Sequence, residues 1–384
     1  MKKILLTTAS TLCIALALFS SGLQSTATAA EDRGNQNEAA ISSRSLGLDS
    51  ANDSLSGSAD EENPTTPLPE GETDFSRTEA FLTVEPEGET ILKVSFGRGA
   101  DQVGGEAEDA AMISDGFPIA FTCDSKGNIY ILDSVNGRVM FFPREKGVAK
   151  PTLTQLFRYP AGIVMRDIAI LSDKKVALAN YGEGKVDIYS FEGRLLESLE
   201  GTWPNEISSS PDGTLMVWNE KETTLMRFKS NFTLMAKLME GYARPMPGAR
   251  KEVFEVVDEN GTPSVAAFNF EDSRRIVATL PLDPAGWYHC AGRVIGQGTD
   301  GFLYIEHLIG RDIDENHEKH EYAMYLIKMN PVKGEILKRI KTAPFRESPF
   351  MLAPRLFVPG LSGEVLTFYF KNQKSYQINS IKLD

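Results

Sequence analysis

One turn, returning at a nearly fixed interval, constrains this chain more than any other feature. It reads Asp124-Ser-Lys-Gly127 at its clearest and recurs as Ser172-Asp-Lys-Lys175, Pro211-Asp-Gly213, Gly298-Thr-Asp-Gly301 and Leu361-Ser-Gly363, with Asp258-Glu-Asn-Gly261 a weaker copy. Between Asp124, Asp173, Asp212, Asp258 and Asp300 the gaps are 49, 39, 46 and 42 residues. Asp bonds its own backbone in such turns, and Gly supplies the left-handed conformation they need. Apolar strands follow, among them Val176–Ala179, Leu215–Trp218, Phe302–Ile305 and Val365–Phe370. From Thr78 onward no stretch has a convincing helical period. A strand-rich unit repeating every ~40–50 residues has the size of a β-propeller blade.

The region around the first turn is the best-formed unit. Pro118–Cys123, Asn128–Leu132 and Arg138–Phe142 read as three strands joined by turns at Asp124–Gly127 and Asp133–Gly137. Ile, Val, Phe and Tyr in these runs suit a pleated, half-buried surface. The order Pro, apolar pair, Asp-x-x-Gly-x-apolar-Tyr-apolar-x-Asp, then Asn136-x-Arg138, resembles the NHL repeat, as does the lead-in Phe96-Gly-Arg-Gly99. The resemblance implies that each repeat is one propeller blade. It implies little chemistry, because such propellers host ligase-targeting modules, lyases, kinase ectodomains and scaffolds alike.

The ends predict how the ring closes. The last unit offers three strands, Arg355–Val358, Val365–Phe370 and Tyr376–Leu383, while Thr90–Phe96 is a lone strand ahead of the first unit. Pairing the two would complete a blade and remove open sheet edges. The expected blades are 117–158, 160–200, 203–240, 242–286, 288–342, and 350–384 completed by 90–96. The fold class is therefore all-β, a six-bladed propeller. Seven blades is the alternative, because 242–286 matches the repeat poorly.

Residues 1–76 are different material. Two lysines, an apolar run over Leu12–Phe19 and the small residues Ala27-Thr-Ala-Ala30 make a secretory signal peptide. Cys13 lies inside the apolar run, without the small residues expected ahead of a lipidated cysteine. Residues 31–76 read as a disordered acidic tether, with eleven acids against two arginines between Glu31 and Phe75. That segment carries most of the formal charge of −13, which leaves the propeller only mildly acidic. A propeller without a basic face argues against nucleic acid as a partner. With no second long apolar run, the expectation is an exported, soluble monomer, periplasmic or secreted, with no transmembrane segment in the mature chain. Cys123 and Cys290 are expected as two separate thiols.

Candidate chemistry is sparse. Three of the four histidines, His307, His317 and His320, fall in a polar stretch read as a long loop of blade five. His317 and His320, with nearby carboxylates, are candidates for calcium or zinc. Asp312-x-Asp314-x-Asn316 opens like a calcium loop but lacks its Gly and ends on Ala323. Propeller enzymes resembling gluconolactonase or the peptide-amidating lyase draw ligands from the starts of innermost strands. Asp167, Asn205 and Glu206 hold such positions, and His289 is near one. Asp133 and Asn136 read as turn-capping residues, and Trp203, Trp218 and Trp287 as filling between blades. No nucleophile elbow, P-loop or haem-attachment motif is present. The expectation is a binding or scaffold module for a protein, peptide or glycan, with no committed catalytic residue or cofactor. The alternative is a metal-dependent hydrolase or lyase working at the channel mouth.

Overall fold

The middle strands of the repeat units are apolar along their whole length, so they must be covered on both faces. Ile129–Asp133 and Leu215–Asn219 are buried at every residue. In a computed structural model of the chain, that cover comes from neighbouring sheets. It describes residues 88–105, 118, 120–144, 152–160, 162–172, 174–238, 244–249, 252–270, 273–282, 286–313, 320–342, 357–361, 363–371 and 375–384. The signal peptide and tether expected over 1–76 lie outside these residues, as do Asp173, Asp314, Asn316, His317 and Arg355.

The described residues form twenty-three strands and no helix. After a lone β1 (Glu89–Ser95), blade one holds β2 (Ala120–Cys123), β3 (Ile129–Asp133), β4 (Arg138–Phe142) and β5 (Thr154–Arg158). Blade two holds β6 (Met165–Leu171), β7 (Lys175–Asn180), β8 (Lys185–Ser190) and β9 (Leu195–Leu199). Blade three holds β10 (Pro204–Ser209), β11 (Leu215–Asn219), β12 (Thr224–Phe228) and β13 (Leu234–Leu238). Blade four has β14 (Glu252–Glu259), β15 (Thr262–Asn269) and β16 (Arg274–Thr279). Blade five holds β17 (Tyr288–Gln297), β18 (Leu303–Asp312), β19 (His320–Asn330) and β20 (Glu335–Thr342). Blade six holds β21 (Phe357–Pro359), β22 (Glu364–Lys371) and β23 (Ser375–Lys382). The lone β1 pairs antiparallel with β23, from Glu89 opposite Ser380 to Ser95 opposite Ser375, and completes the sixth sheet. The chain is a six-bladed β-propeller closed by its terminal strands.

Apolar clusters sit at the blade junctions. Phe121, Ile131 and Met140 of blade one pack with Leu366, Phe368 and Ile378 of blade six. Leu132 and Val139 pack with Ile168 and Leu178 of blade two. A larger cluster joins blades three to five, from Trp218 through Phe268 to Ile327.

Blade four departs from the expected repeat. Its sheet has three strands, and an irregular segment, Arg244-Pro-Met-Pro-Gly-Ala249, stands at the inner position. The Gly248 amide donates to the Ser209 carbonyl of blade three (3.2 Å), and the Pro247 carbonyl accepts from the Gln297 amide of blade five (2.8 Å). Pro245 and Pro247 cannot donate to a strand ladder, which is why no regular strand forms here. The turn at Asp258–Gly261 joins β14 to β15 and lies near His289 at the start of β17. It is thus at the opposite end from the Asp124 and Asp300 turns and does not belong to their series. The stretch His307–Glu321, expected as a long loop, is strand over His307–Asp312 and at His320 and Glu321, with Leu308 opposite Met324 and Arg311 opposite Glu321.

Candidate functional site in the channel

The inner strands are fastened to one another by side chains. Arg166 donates to Asn205 Oδ1 (2.7 Å), and Ser209 Oγ donates to the Ile170 carbonyl (2.6 Å). Asp167 accepts the amide of Ile168 on one oxygen and that of Ile207 on the other, each at 2.8 Å. Of the residues read as possible ligands, Asn205 and Asp167 are therefore engaged in joining blades two and three.

Glu206 does something different. It forms an ion pair with Arg293 of β17. Blades three and five are separated in the ring by blade four, so these side chains meet across the channel. The charges of Glu306, Glu255 and Asp167 also act on Arg293. One guanidinium thus draws together carboxylates from blades two, three, four and five. Burial opposes its charge, but the carboxylates outweigh burial and its pKa is raised. The two acids on second strands respond oppositely to ordinary surface carboxylates. Burial pushes Glu255 up to about 8, against the lowering pull of Arg293 and Arg244. Burial likewise pushes Glu306 up to about 7, with Arg293 again opposing. A desolvated carboxyl in apolar surroundings favours its neutral form. The cluster can hold and exchange protons near neutrality, and it contains its own cation at the point where four blades converge. Among the described residues, no group of three or more His, Cys, Asp or Glu is arranged to hold a metal ion.

The histidines divide. His317 is outside the described residues, and His320 begins β19 opposite Asp312. His289 Nδ1 lies 3.1 Å from Nε2 of the fully buried His307, so one ring donates and the other accepts. Burial lowers the His289 pKa, partly offset by Asp258. The best-formed sequence motif is an anchor. Asp133 accepts from the Gly104 amide, from Asn136 Nδ2 and from Arg138 Nε (2.9, 2.9 and 2.7 Å). Arg138 also reaches the carbonyls of Arg98 and Gln102, and Asn136 that of Gly97. Together they clamp the lead-in segment 97–104 to blade one. Trp218 is buried and Trp287 packs on the same core, whereas Trp203 is 39% exposed beside Lys221. Cys123 and Cys290 form no disulfide, and Cys123 Sγ donates to the Pro359 carbonyl of blade six (2.8 Å).

The end of the channel where inner strands turn into second strands opens into a cavity of about 600 Å³. All six blades contribute, including Ser125 of blade one, Ser172 of blade two, Ser208 and Ser210 of blade three, Gly248 of blade four, Thr299 of blade five and Val358 of blade six. Its size falls in the range of small-molecule sites, roughly 300–1,000 Å³. Sequence reading missed this cavity because it looked to the starts of the inner strands. The signal was present nonetheless, since the repeated turns that defined the blades are the residues that ring it.

No protein-family model matches the chain, and no curated protein matches it. Solved structures similar to it include virginiamycin B lyase from Staphylococcus aureus, with 12% identity over 76% of this chain and 99% of that one and a TM-score of 0.43. A functionally unknown protein from Desulfotomaculum acetoxidans shares 12% identity over 76% of this chain and 96% of its own, with a TM-score of 0.40. Among the described residues, no helix is long and apolar enough to cross a membrane.

Proposed function

We propose that this chain is an exported, NHL-like binding module whose ligand, free or carried by a protein, peptide or glycan partner, enters the channel mouth ringed by the six inner turns. One observation carries this reading: a cavity of about 600 Å³ to which every blade contributes, walled largely by hydroxyls and turn backbone. A metal-dependent hydrolase or lyase at the channel is less well supported. The carboxylates that could serve as ligands, Asp167 and Glu206, are bound to backbone amides and to the guanidinium of Arg293.

Thr299 is exposed on the rim, so Thr299→Trp narrows the mouth without disturbing the core. A thermal-shift screen of neutral, acidic and basic small molecules should yield stabilising compounds for the natural protein that have no effect on Thr299→Trp. Compounds that stabilise both proteins equally would refute the mouth as the binding site. Elemental analysis supplies the competing outcome: one equivalent of calcium or zinc, lost in Glu206→Gln, would favour the metal-dependent enzyme.

A further inference from the structure

Asn-Gly occurs twice in this chain, and the two copies stand in opposite surroundings. Glycine has no side chain to shield its own nitrogen, so that nitrogen reaches the carbonyl carbon of a preceding Asn side chain with little hindrance. Asn136-Gly137 belongs to the clamp on blade one. Asn136 Nδ2 donates one proton to the Gly97 carbonyl and the other to Asp133, both at 2.9 Å. The Gly137 amide donates to the Ser134 carbonyl (3.3 Å). Both nitrogens are thus held, and Asn136 is half-buried. Asn379-Ser380, a related pair with a small second residue, is buried within β23.

Asn260-Gly261 is the two-residue turn between β14 and β15. Both residues have positive φ, +58° and +81°, the conformation for which hairpin turns select Asn and Gly. Both are exposed, and no atom lies within 4 Å of where a Cβ on Gly261 would stand. The Asn260 side chain has no hydrogen-bond partner among the described residues. Its neighbour is engaged in a different way. The Gly261 amide donates to Asp258 Oδ1 at 2.6 Å, so a carboxylate already holds the proton that must leave when this nitrogen attacks. Direct hydrogen-bond contact with the proton it takes is the geometry a general base needs.

We propose that Asn260 is a site of spontaneous deamidation with Asp258 as its base, and that Asn136 is protected. The Gly261 nitrogen bonds to Cγ of Asn260, the bond from Cγ to Nδ2 breaks, and ammonia leaves with the proton that Asp258 relays from Gly261. Water then opens the five-membered imide at either carbonyl and gives aspartate or isoaspartate. The step needs no oxidant, metal or enzyme, and it is independent of any ligand in the channel. Either product adds a carboxylate to the turn whose Asp258 already acts on His289, at the end of the channel away from the mouth. Isoaspartate also lengthens the backbone of the turn.

The test is peptide mapping by mass spectrometry of the folded full chain, held in warm, mildly alkaline buffer and sampled over time. The peptide containing residue 260 should convert to aspartate and isoaspartate while the peptide containing residue 136 keeps its asparagine. In denaturant the two should convert at similar rates, because only the fold distinguishes them. Asp258→Asn should slow conversion at Asn260 several-fold, and Asp258→Glu should restore part of the rate. A carboxylate that only held the turn rigid would give the opposite sign, with faster conversion in Asp258→Asn. Equal conversion of the two sites in the folded chain, or an intact Asn260 after Asn136 has converted, would overturn the site. An unchanged or faster rate in Asp258→Asn would overturn the role of Asp258.

Discussion

Arg293 shows what one side chain does when several blades present carboxylates to the same space. Removing it would leave the buried Glu206 without its counter-ion, so Arg293→Leu should cost roughly 3–5 kcal/mol in denaturant unfolding. Substituting Glu206→Gln in the same background should recover part of that loss. The two neutral-range acids give a separate, signed expectation. Glu255 and Glu306 titrate at about 8 and about 7 in the folded protein, above the usual carboxylate value near 4.5. The folded state therefore binds more protons than the unfolded chain between those limits. Their contribution is fully present below pH 4.5 and is lost as pH rises through 7 and then 8. Stability should fall by several kcal/mol, on the order of 5, from pH 5 to pH 8. The double substitution Glu255→Gln with Glu306→Gln should flatten that slope, as read from urea midpoints at each pH. Glu364, held at about 2 with help from Arg144 and Ser380, acts in the opposite sense and only below pH 4.5. Asp167 and Glu206 were legible in the sequence because they stand near the starts of apolar strands that had to be innermost. Glu255 and Glu306 were not, because each lies on a second strand: Glu306 meets Arg293 as its register partner within blade five, and Glu255 reaches it from blade four, which departs from the repeat.

At the scale of strands and turns, the sequence was readable where local chemistry was orthodox. Blade one, with Asp124–Gly127 and Asp133–Arg138, could be drawn from its residues almost strand by strand. Blade four could not, because two prolines replace ladder donors with an irregular segment held from both sides. That segment depends on Gly248, whose φ is +80° and where an added Cβ would lie 2.1 Å from the Gln297 carbonyl oxygen. Gly248→Ala should destabilise the protein by roughly 2–4 kcal/mol, measured by thermal or denaturant unfolding, because the clash is with backbone and cannot be relieved by a side-chain rotation. Blade five misled in another way. The polar residues Glu306, His307, Arg311 and Asp312 look like loop, yet they belong to a ten-residue strand in which His307 is fully buried and the other three are half-buried. In blade one, Arg138→Ala should cost roughly 3–5 kcal/mol and free the segment 97–104, with hydrogen exchange at Gly97, Val103 and Gly104 reporting the release.

The whole ring was legible from its ends, since a lone strand at one terminus and a three-stranded unit at the other have only each other to pair with. Deleting Glu89–Ser95 should leave β23 as an open edge, and the shortened protein should self-associate in light scattering while the natural one does not. The same pairing sets a clock on the molecule. Glu89 finds its partner about 290 residues later in the chain, among the most distant contacts a domain of this size can make. Blades one to five can gather locally as they emerge, but the first strand must wait, unpaired, until the last ten residues have been made. Completion of this fold is therefore an event of the final residues: a chain cut short at its C-terminus would keep its early blades yet never form its closing sheet.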